Sequence, residues 1–93
     1  MDCNEIKFSG HVLIRIFARK ISLASVEEAV VNGEIIKSYS DDKPYPSYLL
    51  LSIINNRPLH MVLAKEDKGG ICIVIKAYQP DSKIWSHDFK TKQ

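Results

Sequence analysis

An arginine and a histidine stand at the start of an otherwise apolar, strand-like run, Arg57-Pro58-Leu59-His60-Met61-Val62-Leu63-Ala64. A core strand has no packing use for either group, so both are candidates for chemistry. A second stretch spaces His11, Arg15 and Arg19 four residues apart inside an apolar segment, and a third joins Tyr78-Gln79-Pro80-Asp81 to Trp85. Histidine exchanges a proton near neutral pH, and arginine presents a planar fork that matches phosphate or carboxylate. Histidine, arginine, tyrosine and lysine without paired carboxylates suit one reaction. They can assist an RNA 2′-hydroxyl in attacking its own 3′-phosphate, with cations placed where the transition state gains charge.

Other chemistries fit less well. His11, His60 and His87 show no metal-ligand spacing and no acidic cluster accompanies them, so no metal or other cofactor is expected. No nucleophile elbow, P-loop or dinucleotide fingerprint is present. Each candidate also has a structural role open to it. His60 could be bonded to a backbone carbonyl, Arg15 and Arg19 could form the solvated side of a helix, and Arg57 could be a turn residue. Tyr78 and Trp85 could cap the core, and Lys76 could face solvent from a strand.

The elements that must position these residues follow from capping and periodicity. Ser9 is a helix N-cap for about Gly10 to Lys20, with Val12, Leu13, Ile16 and Phe17 on one face. Ser22 caps a second helix to about Val31, which Asn32-Gly33 should stop. Strands are expected over residues 34–39, 47–54, 58–65 and 71–78, the last two joined by a tight Asp67-Lys68-Gly69-Gly70 turn. Alternation puts His60, Val62 and Ala64 on one face of their strand, and Lys76 and Tyr78 on the same face as Cys72 and Val74. Closing the hairpin brings His60 and Tyr78 to one end of the sheet, with Arg57 at its rim. The expected fold is α+β: two N-terminal helices packed on a roughly four-stranded antiparallel sheet.

Ninety-three residues at 45% hydrophobic and 26% charged make one domain with a single core, its ordered part expected over about residues 6–87 and its charged tail outside it. The net charge of +2 does not by itself imply nucleic acid. Ten of the thirteen basic residues are lysine, and the three arginines all fall in the stretches above. Cys3 and Cys72 make neither a disulfide framework nor a zinc site and read as free thiols in a reducing cytoplasm. No targeting segment or membrane-length apolar run is visible, so a cytoplasmic location away from membranes is expected.

Phe8-Ser9-Gly10-His11, Arg15, Arg19-Lys20-Ile21-Ser22, Val26-Glu27-Glu28-Ala29-Val30 and Asn32-Gly33-Glu34 resemble the first half of the bacterial domain-of-unknown-function family 4258. Arg57-Pro58-Leu59-His60-Met61-Val62 and Ala77-Tyr78-Gln79-Pro80-Asp81 with Trp85 resemble its second half. The usual pattern has arginine then glycine before the isoleucine, where this chain has Arg19-Lys20-Ile21. The resemblance implies a RelE-like fold and a RelE- or MqsR-like toxin, a metal-independent RNA-cleaving enzyme partnered by a zinc-finger or helix-turn-helix antitoxin. On that reading His60 is the first choice of general acid or base, with Tyr78 or His11 as counterpart. Arg15, Arg19, Arg57 and Lys76 hold the phosphates and Trp85 stacks a base. His60→Ala is expected to abolish cleavage with the fold intact. The alternative is a non-catalytic module binding protein or nucleic acid through the same sheet end.

Overall fold

The two serines cap as their positions require. In the computed structural model, which describes residues 1–66 and 68–93, Ser9 has extended backbone and its Oγ accepts from the Val12 N–H at 3.1 Å, opening α1 (Gly10–Ala18). Ser22 does the same for Ser25 at 3.1 Å, opening α2 (Leu23–Asn32). Helix α1 stops short of Lys20 because its end is a closed cap. The Lys20 N–H bonds the Phe17 carbonyl at 3.0 Å and the Ile21 N–H bonds that of Ile16 at 3.1 Å. This is the Schellman pattern, and it sets Lys20 in the left-handed region at φ 58°. Gly33 ends α2 differently. Its φ is −68°, and glycine is needed because a Cβ would collide with the Ala29 carbonyl oxygen.

The expected four-stranded antiparallel, RelE-like sheet behind two leading helices is overturned. A strand comes first: β1 (Glu5–Phe8) pairs in parallel with the last strand, making a mixed five-stranded sheet. The others are β2 (Glu34–Tyr39), β3 (Ser47–Ile54), β4 (Arg57–Glu66) and β5 (Ile71–Tyr78), in the spatial order β1-β5-β4-β3-β2. Glu5-Ile6-Lys7-Phe8 alternates polar and apolar, and Ile6 and Phe8 pack on the core. The class remains α+β. The free-thiol reading of the cysteines is also corrected: Cys3 and Cys72 form a disulfide with Cα atoms 5.7 Å apart, fastening the N-terminus to β5. Asp67 of the expected tight turn lies outside the described residues.

Both helices pack on one sheet face. There Val12, Ile16, Val26, Ala29 and Val30 meet Leu50, Leu59, Met61, Leu63, Cys72, Val74 and Ala77 in the core. The pairing of β4 with β5 shifts register between Val62 and Leu63, because Val62 faces Lys76 while Leu63 faces Val74. Ile75 is the extra residue of a β-bulge. Beyond it the alternation of β5 inverts, so Lys76 and Tyr78 lie on the face opposite Cys72 and Val74. That corrects the shared face expected for these four. No described helix is long and apolar enough to cross a membrane.

Candidate functional site

The far face of the sheet is covered by the chain after β5. Trp85 is buried with its ring edge-on to His60, centroids 4.4 Å apart. The tail from Asp88 is anchored in the same way: Lys90 pairs with Glu34 at 3.0 Å, and Gln93 Nε2 donates to the Trp85 carbonyl at 2.7 Å. Between this arm and the sheet lies a cleft of about 350 Å³. It is lined by Lys37 and Tyr39 of β2, Leu49 of β3, Val62 of β4, Lys76 and Tyr78 of β5, and Trp85, Lys90, Thr91 and Lys92 of the arm.

Among the described residues the cleft is lined by four lysines and no carboxylate. Lys90 is engaged by Glu34. The other three ammonium groups lie over aromatic rings instead: Lys37 5.5 Å from the Tyr39 centroid, Lys76 5.1 Å from Tyr78 and Lys92 5.8 Å from Trp85. Cations held over ring faces stay available to an anion approaching from solvent.

Behind Tyr78 lies His60, fully buried and paired in register with it across β4 and β5. His60 Nε2 is 2.7 Å from the Phe89 carbonyl oxygen and its Nδ1 is 3.2 Å from the Tyr78 hydroxyl. A carbonyl can only accept, so Nε2 carries the hydrogen, Nδ1 is the acceptor and the tyrosine O–H donates to it. Burial pushes the imidazole pKa below its usual value, against the upward pull of the Phe89 carbonyl. Burial likewise pushes the Tyr78 phenol up, helped by the neighbouring Tyr39. Both groups therefore rest neutral, and the half-buried Tyr78 oxygen, its own hydrogen turned inward, is left to accept a hydrogen bond from a ligand.

Of the residues singled out from sequence, the structure gathers His60, Tyr78, Lys76 and Trp85 at this cleft. His60 touches no solvent and reaches a ligand only through Tyr78. Trp85 is 8% exposed and packs on His60, so it has no open face for stacking a base. The others lie elsewhere. His11 and Arg15 are exposed on α1, bonded to each other at 3.0 Å through Nε2 and Nε. Arg19 Nη1 donates to the Ala77 carbonyl at 2.8 Å, on the β5 side. Arg57 lines a separate cleft with Lys20 and Gln79.

Lys37, Tyr39, Lys90, Thr91 and Lys92 were not found by sequence reasoning, although the pairing of Lys37 and Tyr39 at alternate positions of β2 was a readable signal. Among the described residues no three His, Cys, Asp or Glu side chains gather closely enough to hold a metal.

The profile of a protein family described as a domain of unknown function, DUF4258, matches residues 8–79. No curated protein and no solved structure matches the chain.

Proposed function

We propose that this chain, which belongs to the DUF4258 family, binds RNA in the far-face cleft and cleaves it without a metal. The observation that carries the reading is the Tyr78 hydroxyl, backed by a buried neutral imidazole and set beside Lys37, Lys76 and Lys92, which have no salt-bridge partner among the described residues. The ribose 2′-hydroxyl gives its proton to Tyr78 as Tyr78 passes its own to His60 Nδ1. The 2′-oxygen bonds to phosphorus and the bond to the 5′-oxygen breaks, that oxygen taking a proton from Lys76. Lys37 and Lys92 neutralise the charge gathering on the phosphoryl oxygens. The imidazolium formed on His60 keeps its Nε2–H on the Phe89 carbonyl, which stabilises it at the moment of transfer. The products are a 2′,3′-cyclic phosphate and a 5′-hydroxyl. Such an activity accords with one half of a toxin–antitoxin pair, the antitoxin presenting acidic groups to the lysine cleft.

A second reading has its own observation. His60 is held neutral by burial and is a weak base, which fits an RNA-binding module that does not cleave. One experiment separates the two. Purified protein is incubated with RNA in excess chelator, and fragment ends and RNA affinity are measured together. Cleavage predicts cyclic-phosphate ends, lost by about 10²–10⁴-fold in Tyr78→Phe with affinity nearly unchanged. Pure binding predicts no fragments. In both readings Lys76→Gln weakens binding and lowers the salt slope by about one. If Lys76→Gln leaves affinity unchanged, RNA does not occupy this cleft.

A further inference from the structure

Arg57 leaves a second cleft without an assigned role. It lies at the end of the sheet on the helix side, has a volume of about 400 Å³, and is lined by Lys20, Ile21, Ser22 and Ser25 from the α1–α2 corner. Ile54, Asn55, Arg57, Pro58 and Leu59 of the β3–β4 hairpin and Gln79 complete it. Two cations face the same space, and among the described residues no carboxylate lines it. Among the described residues neither Lys20 nor Arg57 has a salt-bridge partner, the sole pair being Lys90 with Glu34. Asn55 and Gln79 add amide donors and Ser25 a hydroxyl, while Ile21, Ile54, Pro58 and Leu59 supply apolar walls.

The backbone makes Lys20 conspicuous. It occupies the left-handed residue of the α1 cap at φ 58°, a position where glycine is cheap and a side chain is not. This lysine, held there at a cost in stability, lines a cleft it shares with an arginine that has no salt-bridge partner among the described residues.

We propose that this cleft is a phosphate-binding site, with Arg57 gripping two phosphate oxygens through its planar fork and Lys20 completing the charge. The amides of Asn55 and Gln79 meet the remaining polar atoms, and the apolar walls receive the rest of a molecule of nucleotide size. The phosphate could belong to a free phosphorylated compound or to an RNA strand continuing from the far-face cleft, since Gln79 and Tyr78, which border the two clefts, are consecutive. Only the second source leans on the RNA reading above.

The test uses wild type, Arg57→Gln and Lys20→Gly. In the first arm pyrophosphate and ADP are titrated while amide and Arg57 side-chain NMR shifts are followed. In the second, single-stranded RNAs of four and twelve nucleotides are titrated at two salt concentrations. A free-phosphate site predicts saturable shifts around residues 20–25 and 54–58, with affinity about tenfold weaker in each variant. An RNA-phosphate site predicts that the variants weaken the longer RNA alone, each lowering its salt slope by about one. Lys20→Gly supplies the internal control. Relief of about 1 kcal/mol of left-handed strain raises its melting temperature by about 4–8 °C while its phosphate binding falls. A merely structural Lys20 predicts higher stability with no loss of binding. If neither arm separates the variants from wild type, the proposal is wrong. That result leaves the far-face reading standing, because Lys76→Gln tests it separately.

Discussion

His60→Gln isolates the proton relay from the fold. Glutamine can donate to the Phe89 carbonyl and accept from the Tyr78 hydroxyl, keeping both ends of the hydrogen-bonded chain seen at 2.7 and 3.2 Å. It cannot take up a proton at neutral pH. The loss in folding is the ring's edge-on packing, at 4.4 Å from Trp85 and 5.4 Å from Tyr78. At about 0.5–1.5 kcal/mol per aromatic pair, the sum is about 1–3 kcal/mol. A domain of this size has about 5–14 kcal/mol of stability in all, so the variant stays folded. His60→Ala is a poorer experiment, contrary to the expectation that it leaves the fold intact. It empties a fully buried ring site, and truncations of that kind cost about 3–5 kcal/mol before the two orphaned polar partners are counted. The assay is single-turnover cleavage of a short RNA, read beside a urea melt and RNA affinity. We expect cleavage about 10²–10⁴-fold slower in His60→Gln, with affinity within about twofold of wild type. A folded His60→Gln that cleaves at the wild-type rate refutes the relay.

Two further outcomes follow from the same geometry. Because the folded His60 pKa lies below 6.5, the unfolded chain takes up this proton first as pH falls. The stability tied to the neutral imidazole is therefore complete above about pH 6.5 and lost as pH drops through the folded value. Urea midpoints should fall between pH 7.5 and 5, and His60→Gln should shrink that fall. The same titration should set the acid limb of the cleavage profile, rates rising with pH until His60 is neutral. The Cys3–Cys72 bond closes a separation of 69 residues. Chain entropy assigns such a loop about 4 kcal/mol. Reduction, or Cys3→Ser, should lower the unfolding free energy by about 2–4 kcal/mol, read as a urea midpoint shift with unchanged secondary structure. An unchanged midpoint means that the bond does not form in solution.

The helices and the strands of residues 34–78 were legible because their signals are local: Ser9 and Ser22 as caps, and mainly apolar runs for β3, β4 and β5. What was missed depends on partners remote in sequence. Four residues of alternation in Glu5–Phe8 are too few to separate a strand from a frayed end, and only pairing with β5 makes them one. The disulfide follows from that pairing, since β1 lies against residues 71–74. Nor does the tail announce its contacts. Asp88, Lys90 and Lys92 read as solvated charge until Phe89 offers its carbonyl to a buried histidine and Lys90 finds Glu34.

The candidate site was half legible, and the bulge at Ile75 explains the division. Hairpin spacing brings His60 and Tyr78 to the same end of the sheet, but an unbroken register would set His60 opposite Ala77, and only the extra residue pairs it with Tyr78. Strict alternation, however, would have put Tyr78 and Lys76 with Cys72 and Val74 under the helices, on the side where Arg19 bonds the Ala77 carbonyl. The extra residue turns both side chains to the far face instead, away from every arginine. Their new neighbours are the lysines of β2 and the arm. A phosphate met there encounters point charges on flexible stems rather than planar forks. Charge supplied in that form favours neutralisation spread along a backbone over a rigid grip on one group, which is the behaviour expected of a cleft for a polymer. The planar fork of Arg57 is kept for the other end of the sheet.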